Sequence, residues 1–160
     1  MCVIMLRNIL SCIFASIIGA NMLVIPTQSI QDFILNPCSI LIVFDNKYIE
    51  CDKYQYDNVI CSILSTLDNS HETPSLGVSL NYETRQEKQS GLWIELLYSD
   101  TQYHNEMPFD KLLIKINPDD YGLSIIRHYN NKYDGRCYYI NLSQSTKDLY
   151  DTIFNIIKKD

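Results

Sequence analysis

Residues 92–98 read Leu92-Trp93-Ile94-Glu95-Leu96-Leu97-Tyr98. A period of two puts Leu92, Ile94, Leu96 and Tyr98 on one side and Trp93, Glu95 and Leu97 on the other, which is the side-chain geometry of a β-strand. The first side is wholly apolar and is expected to face a core. The second is less so, and the lone carboxylate of Glu95 is expected there in solvent.

Working outward, the same pattern recurs. Residues 111–116 place Leu112, Ile114 and Ile116 on one side, and residues 76–82 do the same with Leu76, Val78, Leu80 and Tyr82. Residues 83–91 read as a charged connection, and Asn117-Pro118-Asp119-Asp120 is turn chemistry. Residues 123–129 and 136–142 form a last strand pair joined across Asn130 to Gly135. Upstream, residues 39–44 are a continuous apolar run, Asp45-Asn46-Lys47 supply a turn, and residues 48–51 resume as a strand, a hairpin signal. Two segments carry helical spacing instead. Asp57 is placed to cap a short helix with Ile60, Ile63, Leu64 and Leu67 on one face; residues 68–75 then read as loop. At the C-terminus Ser145 and Asp148 approximate a capping box, with Leu149, Ile153, Ile156 and Ile157 as the apolar stripe and Lys158 and Lys159 at the negative end of the dipole. The expected fold is α+β: an antiparallel sheet of about six or seven strands with two helices on one face, in the order β-β-α-β-β-β-β-β-α.

The 160 residues hold one domain. Residues 1–25 carry a single charge, Arg7, ahead of the apolar run from Ile9 to Ala20, the layout of a secretory signal peptide. An uncleaved membrane anchor and a buried helix of the domain are the other readings. Residues 26–37, with breakers Pro26 and Pro37, read as a linker, and residues 38–160 as the domain. Localisation is therefore expected to be extracellular or in the cell envelope, with membrane contact only through the N-terminal segment. With 46% hydrophobic and 20% charged residues the protein is of the globular class. A formal charge of −6 and the lack of a Lys/Arg cluster speak against a nucleic-acid partner. Cys38, Cys51, Cys61 and Cys137 are an even number in the domain, so two disulfides are expected on export, against an alternative of four buried thiols. Without a C-x-x-C pair no metal is expected, and no cofactor motif is present.

Chemistry-bearing residues are few. His128 and Cys137 are the His–Cys pair that the last hairpin brings nearest. A tight turn at Asp134-Gly135 keeps them apart, and a six-residue loop from Asn130 to Gly135 puts them opposite one another. His71 and Glu72 beside Asp68, and His104, Glu106 and Asp110 around Met107-Pro108-Phe109, read as solvated loops. Tyrosines crowd the second half, and Tyr129, Tyr133, Tyr138 and Tyr139, joined by Trp93, are the candidate binding face. The expected function is a non-enzymatic exported binding module (an inhibitor, immunity-type or envelope accessory protein) whose partner is another protein. The alternatives are a small exported enzyme using His with a carboxylate or Cys, and a membrane-tethered structural or assembly component.

Overall fold

The computed structural model describes residues 29–67, 71–74, 81–142 and 144–158, with the side chains of 71–74 and 134–141 excepted. The leader reading of residues 1–25 lies outside the described residues. Described elements follow in the order α1 (Ile30–Ile34), β1 (Ser39–Phe44), β2 (Lys47–Glu50), α2 (Lys53–Leu67), β3 (His71–Pro74), α3 (Asn81–Glu87), β4 (Leu92–His104), β5 (Met107–Ile116), β6 (Gly122–Tyr129), β7 (Lys132–Asn141) and α4 (Lys147–Ile157). The strands make one antiparallel sheet in the spatial order β2-β1-β4-β5-β6-β7-β3, so the fold is α+β. Among the described residues no helix is long and apolar enough to cross a membrane.

Residues 92–98 lie in β4, near the middle of this sheet, between β1 and β5. Leu92, Ile94 and Leu96 join Ile40, Ile42, Leu112, Ile114 and Ile125 in the main core, under Val59, Ile63 and Leu67 of α2 and Leu149 and Ile153 of α4. Three two-residue turns close β1–β2, β4–β5 and β6–β7, at Asp45-Asn46, Asn105-Glu106 and Asn130-Asn131, with positive φ at both residues of each. Paired positive φ is the mirror-image turn whose twist matches the strands, and Asn and Asp tolerate it better than other non-glycine residues.

The order of elements differs from expectation in three places. Inside the stretch read as a linker, α1 buries Ile30, Phe33 and Ile34 in the main core. Its Ser29 N–H donates to Asp32 Oδ2 (2.8 Å), and Phe33 lies edge-on to Phe109 and His104. An apolar i, i+3, i+4 triplet is enough for one helical turn once a core exists to receive it. Residues expected as loop at 71–74 form the edge strand β3. Of the strand expected at 76–82, residues 76–80 lie outside the described residues, whereas Asn81 and Tyr82 open the helix α3. This helix lies on the face of the sheet opposite the other three, so the helices do not share one face. The two long helices also start elsewhere than expected. Asp52 N–H donates to the Gln55 side chain (3.0 Å) at the head of α2, ahead of Asp57. Thr146, buried, stands at the N-cap of α4 in place of Ser145, its N–H bonded to the Asp120 carbonyl (3.0 Å) and its hydroxyl to the Asn117 carbonyl.

The expected disulfides do not form among the described cysteines: no bond joins any two of Cys38, Cys51 and Cys61. Cys61 sits on the exposed side of α2 and Cys38 is exposed ahead of β1, while Cys51 is buried beyond the end of β2. Cys51 belongs to the main core, whereas the other two stand at the surface. The Cys137 side chain lies outside the described residues.

Candidate functional site

The second face of the sheet is not solvated. Val43, Trp93, Leu113, Ile126 and Tyr133 make a smaller apolar cluster there, and Trp93 is only 1% exposed, its indole N–H donated to the Ser90 carbonyl (2.9 Å). A strand apolar on both sides is one covered on both faces. Here the cover is α3 and the segment after it, tied down by Asn81 Oδ1 accepting from the Tyr133 N–H (2.8 Å) and by Lys115 pairing with Glu87 (3.0 Å).

Beside this cluster, between α3 and strands β4 to β7, opens a recess of about 330 Å³, lined by Tyr48, Arg85, Lys88, Gln89, Glu95, Lys111, His128, Asn131 and Tyr133 among others. It is near the lower bound of small-ligand sites. Its floor is ionic. Glu95, 2% exposed and expected in solvent, instead accepts from both the Lys88 ammonium and the Tyr133 hydroxyl (2.5 Å), and Lys88 also donates to the Tyr133 oxygen (2.8 Å). The Lys88 ammonium further lies 4.9 Å from the centre of the Tyr48 ring.

Each group in this triangle is held in one protonation state. Burial opposes ionisation of Glu95, but hydrogen bonds from Lys88 and Tyr133 outweigh it and hold the carboxyl below the usual carboxylate range. Burial also works against the Lys88 ammonium, and its bonds to Glu95, Tyr133 and Tyr48 together raise its pKa. Burial first, and then donation to Glu95, push the Tyr133 hydroxyl up. A carboxylate that stays ionised, an ammonium that stays charged and a phenol that stays protonated supply no proton acceptor with a pKa near neutrality and no nucleophile. The triangle is a rigid polar floor.

The walls are different. Where β4 and β5 lose register between Leu97 and Gln102, the alternation slips: Phe109 and Leu112, three apart, both enter the main core. Asp110 and Lys111 thus both reach the second face. Asp110 Oδ1 lies 2.6 Å from His128 Nδ1, so Nε2 is the ring nitrogen left for anything else, and the ring stands edge-on to Tyr133 at 4.9 Å. Arg85 is anchored by neutral oxygens, Nε to Asn81 Oδ1 (3.3 Å) and Nη2 to the Asn131 carbonyl (2.6 Å). Neither Arg85 nor Lys111 has a carboxylate within ion-pair distance among the described residues.

The residues singled out from sequence are distributed otherwise than expected. His128 lies in the recess, but its register partner is Tyr133, and the backbone of Cys137 stands four positions further along β7, roughly 13 Å at about 3.4 Å per residue. The turn at Asn130-Asn131 decides this, in place of either connection expected between the two strands. Of the expected tyrosine face, Trp93 and Tyr133 are buried and Tyr129 is half-buried, while Tyr138 and Tyr139 pair with Pro74 and Thr73 of β3, their side chains outside the described residues. His104, expected in a solvated loop, is buried against Phe33. His71 pairs with Asn141 in the sheet. Sequence reasoning missed Arg85, Lys88 and Lys111, and placed Asp110 in a solvated loop. One signal was available, a charge at Glu95 flanked by Trp93 and Leu97 in a strand otherwise apolar on both sides. Among the described residues no three His, Cys, Asp or Glu side chains gather as metal ligands. No known protein family, curated protein or solved structure matches this sequence.

Proposed function

We propose that this protein is a small exported binding module without catalytic activity, whose partner is another protein and whose contact site is the recess between α3 and the second face of the sheet. The observation that carries the reading is the division of labour in that recess. Its acid, its buried lysine and its phenol are locked into one another at the floor. The groups left to meet a ligand are His128 and, beside it, Arg85, Lys111, Gln89 and Asn131, four side chains that recognise rather than react. Capture from the native source with the wild-type protein and with Gln89→Trp, which fills the recess from its wall, tests the site. Loss of one partner protein with the variant is expected; identical captures would remove the recess from consideration. Export is tested by sequencing the N-terminus of native material. A mature protein starting between Asn21 and Ser29 is expected, which keeps α1 whole, and a soluble cytosolic protein that retains Arg7 would end that part of the proposal.

The enzyme reading keeps one observation in its favour. The His128–Asp110 pair, with Nδ1 anchored and Nε2 left over, has the arrangement of a general base and its orienting carboxylate. The hydroxyl of Tyr133, whose ring stands edge-on to this imidazole, is committed to Glu95.

A further inference from the structure

We infer that the recess receives a carboxylate of the partner, from an acidic side chain or from the partner's own C-terminus; this rests on the binding reading above. The first ground is charge. The protein carries 19 acidic against 13 basic residues, yet the recess is lined by Arg85, Lys88 and Lys111 against the single carboxylate of Glu95, with Asp110 just beyond, bonded to His128. The three cations outnumber the two carboxylates by one, which suits a monoanion better than a phosphate dianion. The second ground is the state of the two outer cations. Arg85 is positioned by an amide oxygen and a backbone carbonyl, which orient the guanidinium without neutralising it. A planar guanidinium so fixed offers its remaining N–H groups to a carboxylate at little further ordering cost. Lys111, on β5, supplies a second donor without a carboxylate of its own among the described residues. The third is the floor: because Lys88 and Glu95 satisfy each other, Glu95 offers an incoming anion little repulsion.

The test is an NMR titration of the full-length protein, isotope-labelled, with four probes. These are acetyl-Gly-Glu-Gly-amide (whose one carboxylate is the glutamate's), acetyl-Gly-Gly-Gly with a free C-terminus, acetyl-Gly-Gln-Gly-amide as the neutral control, and inorganic phosphate. Saturable shifts at the backbone amides of Gln89, Lys111, His128 and Asn131 are expected with one or both carboxylate peptides and not with the control. The stronger of the two identifies the source. Arg85→Ala and Lys111→Ala, neither of which removes a core side chain, are each expected to weaken that binding about tenfold, as for a lost charge-assisted hydrogen bond, and Lys147→Ala on α4 to leave it unchanged. Equal shifts with the control, or tighter binding of phosphate, would overturn the carboxylate and leave the recess as a binding site. If no probe moves these signals, the carboxylate reading also fails. Loss of capture by Gln89→Trp then decides whether the recess itself survives.

Discussion

Replacing Lys88 with Met is the sharpest perturbation of the ionic floor. The Lys88 and Glu95 side chains are 11% and 3% exposed, so the pair is removed from water almost entirely. Taking away one partner of such a pair leaves a buried charge without compensation and costs about 3–5 kcal/mol. Against a total stability of about 5–15 kcal/mol, that is roughly a fifth or more of what holds the domain folded. The pH dependence identifies the mechanism. In the wild-type protein Glu95 sits below the usual carboxylate range, so its contribution is complete above the unfolded-state pKa of about 4.3 and is lost as pH falls through the lower folded value. In Lys88→Met the strongest opposing influence is gone and burial dominates, so the folded pKa moves above the unfolded one. Relative to the wild type, whose Glu95 contribution is constant over this range, that variant should therefore gain stability as pH falls from 7 toward 5. Adding Glu95→Leu to Lys88→Met removes the orphaned charge and should recover most of the loss, because apolar replacements of buried ion pairs are often neutral. Urea melts of the wild type, the single variant and the double variant between pH 4 and 8 measure all of this. A single variant that loses less than about 1 kcal/mol at pH 7 and shows no slope toward pH 5 would refute the reasoning, since Glu95 would then be hydrated.

Three further outcomes are expected. Ile153→Ala in α4, at a position fully buried in the main core, should cost about 2–5 kcal/mol, and the exposed Asn155→Ala less than about 0.5 kcal/mol, by the same melts. Glu106→Gly should raise stability by about 0.5–1 kcal/mol, because Glu106 holds φ at 64° in the β4–β5 turn, where glycine carries no Cβ penalty; a fall in the urea midpoint would mean that the Glu106 side chain matters more than its backbone. Thiol alkylation of the native protein should modify the exposed Cys38 and Cys61 within minutes and Cys51 only after unfolding, and non-reducing mass analysis should find no bond among the three.

Patterns of period two and 3.6 were legible wherever one face of an element meets a core: Leu92, Ile94 and Leu96 in β4, Leu112, Ile114 and Ile116 in β5, and Leu149 and Ile153 in α4 all stand where their spacing puts them. These patterns are local consequences of backbone geometry, and with the hairpin chemistry of Asp45-Asn46 they determined an antiparallel α+β fold from the residues alone. What tertiary structure decided was every choice between local signals of similar strength. Asn130-Asn131 and Asp134-Gly135 are both competent turns, and only the first sets Tyr133 beside His128 on the covered second face. Residues 30–34 are too short to declare themselves a helix, and become one because Phe33 finds Phe109 and His104. The candidate site is the extreme case. Arg85, Lys88, Glu95, Lys111 and His128 come from α3 and its C-terminal flank and from three strands, at spacings that no periodicity links. Glu95 read by itself is a surface carboxylate. It becomes a buried ion because α3 crosses the second face and brings Lys88 to it, and an attraction between residues on different elements exists only once folding has brought them together.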